Sequence, residues 1–108
     1  MLLAPEARHM QDNVIVINER FKIYKDSRSA DIGKRHVEFT TDEFRALVFL
    51  ASHKDRSWTK SVFRGRAYSG DPSITDDKIY QNIMSLKGKL GQYKQHIKIF
   101  REGYCFVK

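Results

Sequence analysis

The chain has 108 residues, 41% of them hydrophobic and 12% aromatic, which suits one compact domain with a buried core and excludes a disordered composition. A single cysteine, Cys105, excludes an internal disulfide and fits a reducing compartment. The net charge of +7 is uneven: residues 1–58 carry +1 and residues 59–108 carry +6. A cationic excess gathered in one half points to a polyanionic partner.

Residues 1–12 contain no apolar core of a signal peptide and are taken as a flexible segment or an expression leftover, outside the domain of residues 13–108. From Val14 the sequence reads as strands. "VIVIN" is short and β-branched, and "RFKIYK" alternates, with Phe21 and Ile23 on one face and Lys22 and Tyr24 on the other. Turn residues at Asp26-Ser27 and Gly33-Lys34 divide the next stretch, so residues 13–39 form an antiparallel meander of three or four strands.

The period then changes. Phe44, Leu47, Val48 and Ala51 recur at i, i+3, i+4 and i+7, the stripe of an amphipathic helix over 41–52. Thr40, with Glu43 three residues on, is a capping box. A short extended piece at Ser57-Trp58 precedes a second helix, Lys60 to Tyr68, capped by Thr59 and ended by "SGDPS". A third helix, residues 75–90, is capped by Thr75 and opens with Asp76 and Asp77, which favour the positive end of the helix dipole. Ile79, Ile83, Leu86 and Leu90 form its inward stripe, Gly88 weakens its last turns, and Gly91 stops it. "HIKIF" and "YCFVK" around Gly103 make a terminal hairpin in which Tyr104, Cys105 and Phe106 are packing residues.

Sheet, three helices and hairpin make an α+β winged helix-turn-helix with an N-terminal antiparallel sheet. Four segments carry a family resemblance over residues 14–108. "VEFTTDEFRALVFLASH" resembles a Leu-Thr-x-x-Glu-Phe-x-Leu-Leu first helix, and "WTKSVFRGRAY" resembles the second helix after it. "IYQNIMSLKGKL" resembles a Val-Asp-x-His-Ile-x-x-Leu-Arg-x-Lys-Leu recognition helix, and "EGYCF" a closing Gly-Tyr-x-Phe. The chain thus resembles the OmpR/PhoB-type effector domain of bacterial response regulators, the output half of two-component systems. It departs from that pattern where Met84 and Ser85 stand at outward positions usually held by arginine, and where Glu102 lies near the wing tip.

The resemblance implies a cytoplasmic, nucleoid-associated transcription regulator that binds double-stranded DNA. The third helix would enter the major groove and the wing would lie on the minor groove or backbone. Lys78, Gln81, Asn82 and Ser85, at i, i+3, i+4 and i+7, are the expected base-contacting set, Gln and Asn suiting adenine. Phosphate contacts are expected from Trp58, Thr59, Lys60, Arg64, Lys87, Lys89, Lys94 and Lys98, with Arg66 a further candidate and Arg101 in the minor groove. The resemblance also implies RNA polymerase contact through the loop of residues 66–75, and homodimers on tandem sites.

Catalysis is not expected. His36, His53 and His96 are dispersed, and neither a metal-binding spacing nor a Gly-rich phosphate loop occurs, so no cofactor and no metal are expected. No apolar run reaches the ~20 residues of a membrane span. The rival reading is a winged helix that serves as a protein-protein interaction module with weak or no DNA binding.

Overall fold

The computed structural model describes residues 13–108, so the expectation for residues 1–12 lies outside it. The chain divides into two compact units, one ending at Glu38 and the other running from Phe39 to Lys108.

The first unit is a four-stranded antiparallel sheet in the order β1 (Val14–Asn18), β2 (Phe21–Tyr24), β3 (Ser29–Ile32) and β4 (Arg35–Glu38). Cross-strand pairs Phe21–Ile32 and Ile23–Ala30 share one buried face, as the alternation of "FKIY" requires. On the opposite face Asp31 accepts a hydrogen bond from Tyr24 (2.7 Å) and pairs with His36 (2.8 Å). These contacts hold its carboxyl below the usual range, the His36 hydrogen bond foremost. Gly33, at φ 62°, supplies the left-handed residue of the two-residue β3–β4 turn.

The second unit contains α1 (Thr41–Ser52), β5 (Ser57–Thr59), α2 (Lys60–Ala67), α3 (Asp76–Leu90), β6 (Ile97–Ile99) and β7 (Gly103–Phe106). All three helix starts are capped by threonine. The Thr40 hydroxyl accepts the Glu43 N–H (3.2 Å) while the Glu43 carboxylate accepts the Thr40 N–H (2.9 Å). Thr59 and Thr75 accept the N–H groups of Val62 and Lys78. Leu47, Leu50, Phe63, Ile83, Leu86 and Leu90 are fully buried between the helices.

Three details go beyond the sequence reading. The helix α2 ends at Ala67, one residue earlier than expected, because Tyr68 leaves the helix as its cap and turns its hydroxyl to the Asp42 carbonyl (3.0 Å). The piece at Ser57–Thr59 is a true strand: it pairs with β7, Trp58 opposite Tyr104, in a three-stranded sheet of order β5-β7-β6. A 3₁₀ helix over Gly91–His96 links α3 to the hairpin after Gly91, at φ 59°, ends α3. The strand β5 thus joins the start of α2 to the wing, and the Lys60 N–H donates to the Glu102 carbonyl across that junction (2.9 Å).

Candidate nucleic-acid interface

At about 100° per residue, the four aliphatic residues of α3 define its inward direction. The line opposite them is Asp77, Gln81, Met84 and Gly88. One shoulder carries Lys78, Asn82, Ser85 and Lys89; the other carries Tyr80 and Lys87. The two shoulders meet different neighbours, and that decides what each side chain can do.

The Ser85/Lys89 shoulder faces α1. Glu43 is only 4% exposed and is the hub. The Ser85 hydroxyl donates to one carboxylate oxygen, and the Lys89 ammonium lies 2.7 Å from the other, which also accepts the Thr40 N–H. Burial alone would push this carboxyl up; the Lys89, Ser85 and Thr40 hydrogen bonds outweigh it and hold the pKa below the usual glutamate value. One residue thus caps α1 and clamps α3. Asn82, half-buried on the same shoulder, lies close enough to the Tyr68 hydroxyl to offset part of the effect of its burial. Burial still pushes that hydroxyl up to about 12.

The other shoulder faces the hairpin. The Lys87 ammonium donates to the carbonyls of Ile97 (2.6 Å) and Lys94 (3.0 Å), and burial lowers its pKa, with Lys98 and Lys94 adding repulsion. Tyr80 lies close enough to Tyr104 of β7 to help raise that buried tyrosine, after burial itself and Asp76.

The expected base-contacting set is therefore not one uniform face. Gln81 sits on the outermost line and is exposed. Lys78 is exposed and reaches the Ser73 carbonyl (3.4 Å). Asn82 is half-buried beside Tyr68, and the Ser85 hydroxyl donates to Glu43. The expected phosphate set divides similarly. Lys60, Lys94 and Lys98, with Arg101 at the hairpin turn, are exposed and carry no ion pair among the described residues. Arg64 lies 3.2 Å from Asp76, and Lys87 and Lys89 hold α3 to its neighbours. Thr59 is exposed, its hydroxyl oxygen already accepting in the cap. Trp58 is 5% exposed, its ring packed on Phe49 with the guanidinium groups of Arg56 (4.7 Å) and Arg66 (5.5 Å) over it.

Three features escape sequence reasoning. Glu43 reads as a cap alone, because the partners that make it a clamp lie more than forty positions away. Arg56 gives no signal beyond its charge. Tyr80 and Met84, 47% and 45% exposed, are large apolar side chains outside the inward stripe of α3, and plotting that helix by angle is the signal that finds them.

The loop of residues 66–75 is anchored at both ends by buried Tyr68 and Ile74, and in its middle by Asp71, which accepts the Ser73 N–H and hydroxyl (2.9 and 2.8 Å). Among the described residues no group of three or more His, Cys, Asp or Glu could hold a metal, and no helix is long and apolar enough to cross a membrane.

A family model described as "Transcriptional regulatory protein, C terminal" matches residues 33–106. The transcriptional regulatory protein KdpE of Staphylococcus aureus is 27% identical over 90 residues, and the chain spans only 39% of that relative's length. Among solved structures, the response regulator DrrB, an OmpR/PhoB homologue of Thermotoga maritima, superposes with a TM-score of 0.75 at 17% identity, over 99% of this chain and 51% of that one. The DNA-binding domain of Klebsiella pneumoniae RstA, solved in complex with its RstA box, superposes with a TM-score of 0.71 at 24% identity, over 87% and 96%.

Proposed function

The chain belongs to the family of transcriptional regulatory protein C-terminal domains, and from that premise we propose that it binds double-stranded DNA, with α3 in the major groove and the β6–β7 hairpin as a wing. One observation carries this reading: α3 is fixed to its unit by an aliphatic stripe and by polar clamps on both shoulders, yet its outermost line is left to solvent. A rigidly held helix with an open face is what groove reading needs, because base contacts require small positional errors.

Gln81 on the outer line and Lys78 beside it contact bases, Gln81 suiting the paired donor and acceptor of adenine. Asn82 and Ser85 act through Tyr68 and Glu43, setting the angle of the helix. Lys60, Lys94 and Lys98 meet phosphates, the start of α2 supports them, and Arg101 reaches the minor groove from the wing. Two copies on tandem half-sites and a contact of the loop of residues 66–75 with RNA polymerase complete the picture, in the cytoplasm on the nucleoid. KdpE and DrrB are, by name, a transcriptional regulatory protein and a response regulator, which supports a place in two-component signalling.

A second reading, a protein-interaction module, draws on a specific observation: Arg64, Lys87 and Lys89 are taken up within the unit, and Glu102 sits in the wing turn. Titrating labelled duplexes with the protein at two salt concentrations separates the two. Binding that weakens with salt is expected; no binding to any duplex at low salt would leave the interaction module standing.

A further inference from the structure

The centre of the α3 face is apolar, not basic. Met84 lies on the outermost line one turn after Tyr80, and both expose nearly half their surface. Scattered exposed apolar residues are ordinary, but these two are neighbours at i and i+4 and lie together beside the exposed amide of Gln81. Their surroundings are cationic on balance, with Asp77 on the outermost line and Glu102 in the wing turn as acidic exceptions. Lys78 stands on the same helix, and Lys60, Lys94, Lys98 and Arg101 lie on the elements around it. An apolar and amide centre with an excess of exposed cations on the neighbouring segments complements the major groove, where phosphates form the edges and bases the floor. It does not complement an apolar protein partner, which would leave those cations without counter-charges.

Resting on the DNA-binding reading above, we propose that Met84 and Tyr80 select thymine by packing on its 5-methyl group, while Gln81 takes a neighbouring adenine, so that the preferred half-site is rich in A·T pairs. The thymine methyl is the one methyl group on the major-groove floor. A thioether or ring edge against it buries apolar surface on both sides. The Met84 thioether over guanine O6 and N7, or over the cytosine amine, would displace water from polar groups and offer almost nothing in return. Selectivity therefore comes from a penalty on G·C as much as from attraction to A·T.

The test begins with selection of bound duplexes from a random pool by the full chain. In the selected site each thymine is then replaced, one at a time, by deoxyuridine, which differs only by the lost methyl. One or two positions should weaken binding by about four-fold each, the value of one buried methyl. The Met84→Ala variant should bind the thymine duplex more weakly by a similar factor and no longer distinguish thymine from deoxyuridine at one of those positions. Since Met84 is exposed, the fold should survive the change, which circular dichroism checks. Wild-type protein binding every deoxyuridine duplex as tightly as the thymine one would overturn the proposal, as would full discrimination retained by Met84→Ala. Failure to select any duplex would overturn the DNA-binding reading itself and this inference with it.

Discussion

Glu43 shows how one side chain can serve two levels of structure. Its carboxylate caps α1 and also holds Ser85 and Lys89 of α3. Glu43→Gln keeps the shape but removes one acceptor and the negative charge that Lys89 pairs with. A loss of about 1–3 kcal/mol in urea unfolding is expected, together with weaker DNA binding as α3 loosens. The pH dependence comes from the sign of the shift. The folded pKa of Glu43 lies below its unfolded value, so the folded state binds its proton less readily. Its stabilisation is complete above the unfolded value of about 4.3 and is lost as pH falls through the folded pKa. The stability gap between wild type and Glu43→Gln should therefore be full at about pH 7 and narrow progressively as pH falls below the unfolded value of about 4.3, which unfolding curves through the acid range would check. Asn82 and Gln81 offer a contrast on adjacent positions. Asn82→Ala, at a half-buried position beside Tyr68, should cost up to about 1 kcal/mol of stability, whereas Gln81→Ala, at an exposed one, should change stability by less than about 0.5 kcal/mol and reduce discrimination between DNA sequences.

At the scale of elements, α3 and β5 matter most. Gly88 has open space around the position of a side chain and no positive φ, so its helical backbone would accept alanine. Gly88→Ala should raise stability by up to about 1 kcal/mol. Its place on the outermost line gives the same variant a second readout: stabilisation with loss of DNA affinity would mean that the helix approaches the duplex closely there. Gly103 behaves in the opposite way. A Cβ at this position would lie 1.7 Å from the Trp58 carbonyl oxygen, a backbone atom of the paired strand that cannot move aside. Gly103→Ala should open the β5–β7 pairing and destabilise severely, by about 4 kcal/mol or more, visible as a shifted urea midpoint.

For the whole molecule, the relevant quantity is not the net charge of +7 but the charge left unpaired on the candidate interface. If Lys60, Lys94, Lys98 and Arg101 each meet one phosphate, the logarithm of the binding constant should fall against the logarithm of salt with a slope of about −3.5. Lys94→Ala should reduce the slope by about 1 and weaken specific and random duplexes alike. Anisotropy titrations across roughly 50 to 200 mM salt would measure both. A slope near zero in the wild type would remove phosphate contact from the mechanism.

Local information was sufficient for most of the fold. Threonine caps, the change from alternating to helical period at Thr40, the aliphatic stripe of α3 and the stop at Gly91 are all written within a few residues of where they act. That proximity is why helix limits and hairpin were legible in the sequence, and why the family resemblance was too. The site was less legible because it depends on contacts between distant segments. Sequence spacing put Lys78, Gln81, Asn82 and Ser85 on one face, but only packing set Asn82 beside Tyr68, gave Ser85 to Glu43 and Lys78 to the Ser73 carbonyl, and left Gln81 in water. Likewise every lysine counts equally in a composition. Which ones keep their charge for a partner was decided by tertiary structure, since an ammonium that already donates to a buried carboxylate or a carbonyl has less to offer a phosphate.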